Sequence, residues 1–547
     1  MKILGFHSSH DAAYGILEDG IPIVHNETER FNRKKNAVAD SLKLFIELNS
    51  DIKDIDYIAT HRTCGVVDHK YHDSFEECKR LVKGGRSTDN KVFIVGHHQS
   101  HASNAFFTSN FKEALIITLD GGGVDNVDGS LHNELDIDSL TNDNSIMTCT
   151  TFWSGKDNKI EPIELIDGGK INLGYYWAIC TSRIFGLGTW NDPRGDQAGT
   201  VMGMAALGSP EKYLSHFENL DNAKMQKEWG PINLDFLKRE ADTSEQNKFD
   251  IAASLQFKTE EVIKNLMTPH MEKYKPKNIC LSGGVSLNCV SVGKMLDWFP
   301  GVNIYCDPIP YDGGLPLGAA RYVYHHIFGN ERIYDNPKNK SSYLGLTYSK
   351  EVIMDTIESV KDKVVFEKVD DDFVVDLLVN DDNVISVYGG GSESGRRALG
   401  NRSILADPRS SNMKDVINDK VKHRQWFRPF APSVLREDVG EWFVHDIDSP
   451  YMSFCLKFKE GMENKVPAVL HFDGTARLQS VAEEDNEWYY KFIKKFKDKT
   501  GVPMVLNTSF NDREPIVETP EHAMNCFLRT NIDYLYFRDC NILVRKI

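Results

Sequence analysis

The chain has 547 residues, 41% of them hydrophobic, and a formal net charge of −16. A single core stops growing at about 250–300 residues, so more than one domain is expected. The acidity argues against a surface built to coat a polyanion, and no apolar run approaches the ~18 residues needed to span a bilayer.

Met1-Lys2-Ile3-Leu4-Gly5 enters a strand at once, without the architecture of a secretory signal. Ten cysteines include no CxxC pair, which reads as reduced, buried thiols of a cytoplasmic protein. The first strand ends in small and polar residues that include His10 and Asp11. Basic clusters lie at residues 30–35 and 491–499, and a solvated face explains both most simply. Val92-Phe93-Ile94-Val95 reads as a strand leading to His97 and His101, whose i, i+4 spacing puts both imidazoles on one helix face. His98 points about 100° away and reads as a structural neighbour. A strand over residues 114–119 opens into a loop, Asp120-Gly121-Gly122-Gly123. Residues 130–170, rich in Asp, Asn, Ser and Thr, read as a surface insertion or a hairpin pair. Asn278-Ile279-Cys280-Leu281 leads to Ser282-Gly283-Gly284 and on to Asn288, and a strand over 302–306 leads to Asp312-Gly313-Gly314. Short β-rich runs alternating with helix-length segments indicate α/β layers. The polar stretch 335–342 predicts a boundary, giving domains 1–340 and 341–547.

Glycines at strand ends let backbone N–H groups approach phosphate oxygens. Gly121, Gly122, Ser282, Gly283, Gly284 and Asn288 are therefore candidate nucleotide contacts, although no loop has Walker or dinucleotide-binding spacing. His97, His101, Asp120 and Asp312 together offer two imidazoles and two carboxylates, a set suited to Fe²⁺, Mn²⁺ or Zn²⁺ with open positions left. Taken alone, the histidine pair is equally well explained as a partly buried couple. A metalloprotease is disfavoured because His98 stands where the His-Glu-x-x-His motif needs its glutamate, with Gln99-Ser100 completing the gap.

Further motifs carry a resemblance over nearly the whole chain. They are His10-Asp11-Ala12, Glu29-Arg30-Phe31-Asn32-Arg33-Lys34-Lys35, His97-His98-Gln99-Ser100-His101, Val201-Met202-Gly203-Met204-Ala205-Ala206, Ser282-Gly283-Gly284-Val285 and Asp312-Gly313-Gly314 in the first part. Residues 395–405, 427–435, 471–477 and 506–511 supply the second set. The chain resembles the O-carbamoyltransferase family of nodulation and antibiotic-tailoring enzymes, of which tobramycin carbamoyltransferase is a member. The resemblance implies an N-terminal actin-like ATPase domain, shared with tRNA threonylcarbamoyladenosine synthases and carrying the HxxxH metal site, with Fe²⁺ as the first candidate ion. It implies a C-terminal α/β domain similar to threonylcarbamoyl-adenylate synthases, which joins carbamoyl phosphate to ATP and makes carbamoyladenylate. By motif match Arg397, Lys422, Arg428, Arg477, Asn507 and Ser509 belong to that second site, with Arg402, Arg424 and Asn511 as further candidates. His10 matches the family's candidate base for the acceptor hydroxyl.

Lys422-His423-Arg424-Gln425-Trp426 has glutamine and tryptophan where Glu-Pro is common in the family, and residues 388–395 are richer in glycine and serine than usual. The expected acceptor is either 5-hydroxymethylcytosine in DNA or a sugar or antibiotic hydroxyl. A homodimer without a membrane partner is the expected assembly. A non-transferring actin-like ATPase is the alternative from another class; it would not need Arg397, Lys422, Arg428 and Arg477 around a carbamoyl-sized site.

Overall fold

A computed structural model describes residues 1–49, 52, 54–61, 77, 80, 82, 91–132, 144–188, 197–221 and 233–547. The chain divides into two compact units, Met1–Ser341 and Ser342–Ile547. Both are α/β.

The first unit holds two five-stranded sheets. One is built from β1 (Lys2–His7), β2 (Ala13–Glu18), β3 (Ile21–Glu27), β4 (Tyr57–His61) and β5 (Val92–Val95), in the order β3-β2-β1-β4-β5. The other is built from β6 (Glu113–Asn126), β7 (Ser145–Lys156), β8 (Lys159–Asp167), β9 (Asn278–Ser282) and β10 (Asn303–Cys306), in the order β10-β9-β6-β7-β8. In each, the first strand pairs antiparallel with the second and parallel with the fourth. The sheets are thus copies of one pattern, the doubled arrangement of an actin-like core. β1 is buried on both faces: Ile3 joins a cluster with Ala319 and Tyr322, while Leu4 and Phe6 join Tyr14, Phe45 and Ile58. That double burial explains its continuous apolar run.

The His97–Thr108 helix is buried all round, so its polar residues need partners inside the protein. It starts at Gly96, which has no side chain to cap it. Asp125 on β6 takes that role: Oδ2 accepts the His98 N–H at 3.2 Å and Oδ1 the Gln99 N–H at 3.0 Å. Gly96 is required there, because a Cβ would lie 2.3 Å from Asp125 Oδ1.

The strand expected to end at Leu119 instead runs on to Asn126. Its pairing with β7 breaks after Leu119 and resumes at Gly123 opposite Thr148, so Asp120, Gly121 and Gly122 form a bulge rather than a loop. Beyond it, β7 and β8 form a hairpin; residues 133–143 of the expected insertion lie outside the described residues.

The second unit is one nine-stranded sheet. Its strands are β11 (Val364–Lys368), β12 (Ile385–Tyr388), β13 (Arg402–Ala406), β14 (Ala431–Leu435), β15 (Phe454–Lys457), β16 (Thr475–Val481), β17 (Met504–Ser509), β18 (Tyr534–Phe537) and β19 (Ile542–Lys546). Their order is β11-β19-β18-β12-β13-β17-β14-β16-β15. The lysine-rich run 491–499 lies on the Glu487–Thr500 helix. That helix buries Tyr489, Phe492, Ile493 and Phe496, and its lysines pair with Glu487, Asp372, Asp438 and Asp376. It is a solvated, ion-paired face. Among the described residues no helix is long and apolar enough to cross a membrane.

Several histidines of the first unit are buried and neutral. Burial pushes His25 down to about 4 and His325 to about 3, against the pull of their hydrogen bonds to the Gly313 and Asn330 carbonyls. Both folded values lie below the unfolded value near ~6.5, so unfolding takes up protons in acid. The stability gained by keeping these rings neutral is complete above about pH 6.5 and is lost toward about pH 4, up to about 3 kcal/mol per ring. Denaturant midpoints measured across that window should fall with pH, and His25→Gln should flatten the slope. An unchanged slope would refute the assignment.

Candidate functional site

Four side chains from three neighbouring segments converge in the first unit. His97 and His101 come from the buried helix, Asp120 from the β6 bulge, and Asp312 from the turn that precedes the Leu315–Arg321 helix. One ligand atom from each lies within 4.8 Å of all the others. Asp120 Oδ1 accepts the Gly284 N–H at 2.8 Å, which leaves Oδ2 3.1 Å from His97 Nε2 and 3.7 Å from His101 Nε2. Asp312 Oδ1 lies 3.6 and 3.5 Å from the same two nitrogens. His97 must approach β6 closely, and it does so because residue 123 is glycine: a Cβ there would lie 2.2 Å from the imidazole.

The electrostatics of the cluster favour positive charge facing its two carboxylates. Burial disfavours every charge in it, yet His97 and its neighbouring histidines hold Asp120 and Asp312 well below the usual carboxylate range. Burial also opposes a charged His101, but hydrogen bonding to the two carboxylates and their charge raise it to about 10. His101 Nε2 is nonetheless buried with no partner at hydrogen-bond geometry. On its other side, His101 Nδ1 lies 3.4 Å from Ser282 Oγ, which donates to Asp307 Oδ2 at 2.8 Å. The hydroxyl proton being committed to Asp307, Ser282 can only accept from His101 Nδ1–H, and Nε2 faces the carboxylates. This donor set fits a divalent transition metal, whose binding would displace the proton from Nε2.

His10 stands at the rim. Its side chain is 39% exposed, against 3% or less for His97, His101 and His7. Its Nε2 is 3.4 Å from Asp312 Oδ2 and its Nδ1 3.3 Å from Asp11 Oδ2. The loop is fixed from below: His7 Nε2 donates to the His10 carbonyl at 2.7 Å, and His61 Nε2 in turn donates to His7 Nδ1 at 2.6 Å. The tautomers are set because a carbonyl only accepts. Burial lowers His7 to about 4, with Asp312 pulling the other way.

The sequence placed His10, His97, His101, Asp120 and Asp312 in chemical roles, and the structure brings all five together. His98 points away to Asp125 and Thr148, at 3.1 and 2.7 Å. The glycine residues sit beside the cluster, but their observed contacts are internal. Gly122 and Gly283 adopt φ of 149° and 88°, the Gly284 N–H serves Asp120, and the Gly121 carbonyl accepts from Asn172 at 2.8 Å. Asn288 caps the Cys289–Trp298 helix through the Ser291 N–H at 3.1 Å and pairs with Gln256 at 2.8 Å. Sequence reasoning missed Asp307, His7 and His61. Only a polar residue at a strand end marked them.

The second unit carries a different cluster. Arg424, Arg428 and Arg477 are close enough that their charges oppose one another. Burial first, and this repulsion second, push Arg424 well down and Arg428 to about 10. Arg424 Nη2 and Arg477 Nε are buried without a hydrogen-bond partner, and among the described residues none of the three guanidiniums pairs with a carboxylate. Asn418 fixes the loop, accepting from Arg424 Nε at 2.7 Å and donating to the Trp426 and Arg428 carbonyls at 3.1 and 3.0 Å. Lys422 is buried, with Nζ bonded to the Ser509 carbonyl and, at 2.7 Å, to Asn511 Oδ1. Asn507 donates to Ala398 O at 3.0 Å, beside half-buried Arg397, and to Gln479 and Ser433. Arg402 is a structural clamp: it stacks on Tyr388 at 3.8 Å and donates to the Gly389 carbonyl at 2.9 Å.

Comparison with known proteins identifies the family. Residues 68–321 match the family model described as the carbamoyltransferase N-terminus, and residues 376–546 match the carbamoyltransferase C-terminus. An uncharacterized protein of Synechocystis sp. is 30% identical over 604 residues, covering 96% of this chain and 94% of that one. Nodulation protein NolNO of Sinorhizobium fredii is 33% identical over 567 residues, covering 96% of this chain and 78% of its own. Among solved structures, HypF of T. kodakarensis is similar with a TM-score of 0.33 at 13% identity, over 60% of this chain and 48% of that one. The chain belongs to the carbamoyltransferase family.

The support behind His101 can be tested by metal binding alone. Equilibrium dialysis against Mn²⁺ should find an ion bound by the wild type and lost in His101→Ala. Asp307→Asn should weaken it about 10- to 100-fold with the circular dichroism spectrum unchanged. Wild-type affinity in Asp307→Asn would remove Asp307 from the site.

Proposed function

We propose that the chain is an ATP-dependent O-carbamoyltransferase working in two steps. In the Ser342–Ile547 unit, water cleaves phosphate from carbamoyl phosphate, and the carbamate oxygen attacks the α-phosphorus of ATP. Pyrophosphate leaves and carbamoyladenylate forms. In the Met1–Ser341 unit an acceptor hydroxyl attacks the carbamoyl carbon, the bond to AMP breaks, and the hydroxyl proton passes to His10.

The observation that carries this reading is the guanidinium cluster. Three half-buried arginines without carboxylate partners are costly unless an anion joins them, and forked guanidiniums suit phosphate oxygens. Carbamoyl phosphate and ATP are both polyanions. Arg397, Lys422, Asn507 and Ser509 belong to the same site in this proposal. Lys422 orders the Ser509–Asn511 segment, and Asn507 orders the Ala398 carbonyl beside Arg397.

In the first unit, His10 is the histidine that an incoming hydroxyl can reach, and Asp312 beside it steadies the imidazolium that results. His97, His101, Asp120 and Asp312 would hold the ion, with Fe²⁺ preferred over Mn²⁺ or Zn²⁺ on the family resemblance. A bound cation supplies charge stabilisation for a phosphate leaving group. The Gly121–Gly122 bulge and the Ser282-Gly283-Gly284 turn, continuing to Asn288, border the place such a phosphate would occupy. The acceptor hydroxyl belongs either to a sugar or antibiotic or to 5-hydroxymethylcytosine in DNA.

The two steps separate by mutation. His10→Ala should cut transfer to acceptor at least about 100-fold while carbamoyl-phosphate-dependent pyrophosphate release continues. Lys422→Ala or Arg428→Ala should abolish that release. Equal loss of both activities in every variant would sink the two-site scheme. Mass spectrometry of hydroxymethylcytosine-containing DNA and of an aminoglycoside panel, each with ATP and carbamoyl phosphate, should show the mass of one carbamoyl group on one class alone.

A further inference from the structure

Formation of carbamoyladenylate in the second unit gives the guanidinium cluster a polyphosphate but leaves the purine of ATP without a seat. Trp426 and Phe472, 48% and 46% exposed, are the two most exposed large aromatic side chains among the described residues. They pack against each other edge to face, with ring centroids 5.4 Å apart at 82°. Large rings left half in water yet held in fixed contact call for an explanation beyond packing.

Both rings belong to the loops that carry the arginines. Trp426 sits in a turn closed by the Arg428 N–H on the Gln425 carbonyl at 3.3 Å. Asn418 holds the Trp426 carbonyl and the Arg424 guanidinium at once, so ring and charge share one anchor. Phe472 sits in a tight turn in which the His471 N–H reaches Thr475 O at 2.8 Å and the Gly474 N–H reaches His471 O at 3.0 Å. Arg477 follows on the same segment, and its charge bears on the buried His471 ring. Lys414 Nζ, anchored on the Leu470 carbonyl at 2.7 Å, lies 4.9 Å from the Phe472 ring centroid. An exposed aromatic face beside a cluster of cations suits a ligand with a flat π system at one end and negative charge at the other.

Resting on the carbamoyladenylate reading, we propose that Trp426 and Phe472 form the stacking platform for the purine ring of the nucleoside triphosphate, with Arg424, Arg428 and Arg477 taking its phosphate chain. Trp426 presents its face to the base, and Phe472 sets the angle of the indole. The platform lets the site tell ATP from a bare polyphosphate.

The test is carbamoyl-phosphate-dependent pyrophosphate release by the full chain, titrated with ATP and with inorganic tripolyphosphate as a competitive inhibitor that lacks the base. Trp426→Ala should raise the KM for ATP about tenfold or more. The KM for carbamoyl phosphate and the tripolyphosphate inhibition constant should stay within about twofold. Trp426→Phe should restore most of the loss, and Phe472→Ala should act in the same direction as Trp426→Ala. An unchanged KM for ATP in both alanine variants of an active enzyme would overturn the platform and leave the carbamoyladenylate reading standing. So would a loss of tripolyphosphate inhibition in step with ATP, since the rings would then serve the phosphate site. A wild-type chain that releases no pyrophosphate with carbamoyl phosphate would overturn both.

Discussion

The carboxylate of Asp312 is the constraint around which the first unit is organised. One oxygen faces His97 and His101, and the other faces His10 and His7. A buried carboxylate is tolerable only with its charge answered on every open side. The imidazoles of His97 and His101 answer it on one side, and a rim histidine does so on the other. Cation affinity and the basicity of His10 are therefore not independent properties. A positive charge drawn onto one oxygen weakens the hold of the other on a proton at His10.

The second unit solves the reverse problem. Its candidate site gathers like charges without a carboxylate among the described residues, so the folded protein carries repulsion that an anionic ligand would relieve. Asn418 makes this bearable by holding the loop through neutral contacts rather than through a carboxylate that would compete for the guanidiniums.

The parts of the fold legible in the sequence were those set by local pattern. The apolar runs of β1, β5, β6 and β9 and the i, i+4 histidines are all local signals. The duplication of the two sheets left no repeat to read, because strand order is a property of long-range pairing and the copies share no motif. The β6 bulge was read as a loop for a related reason: Asp120, Gly121 and Gly122 carry loop composition, and only the resumed pairing of Gly123 with Thr148 shows that the strand continues. Asp307 and His61 were hidden because each acts through another residue, at ranges of 25 and 54 positions. Asn288 and Gly284 carry composition suited to a nucleotide loop, yet their nearest partners are protein groups.

The cap supplied by Asp125 bears on the order in which the protein assembles. The His97–Thr108 segment is rich in histidine, serine and asparagine, which are poor helix formers, and twelve residues is marginal length for a helix on its own. Its first turn is completed only by a side chain 27 positions further along, on a strand that must already be in its sheet. A nascent chain that has emerged only as far as the histidine pair thus has no preformed chelate.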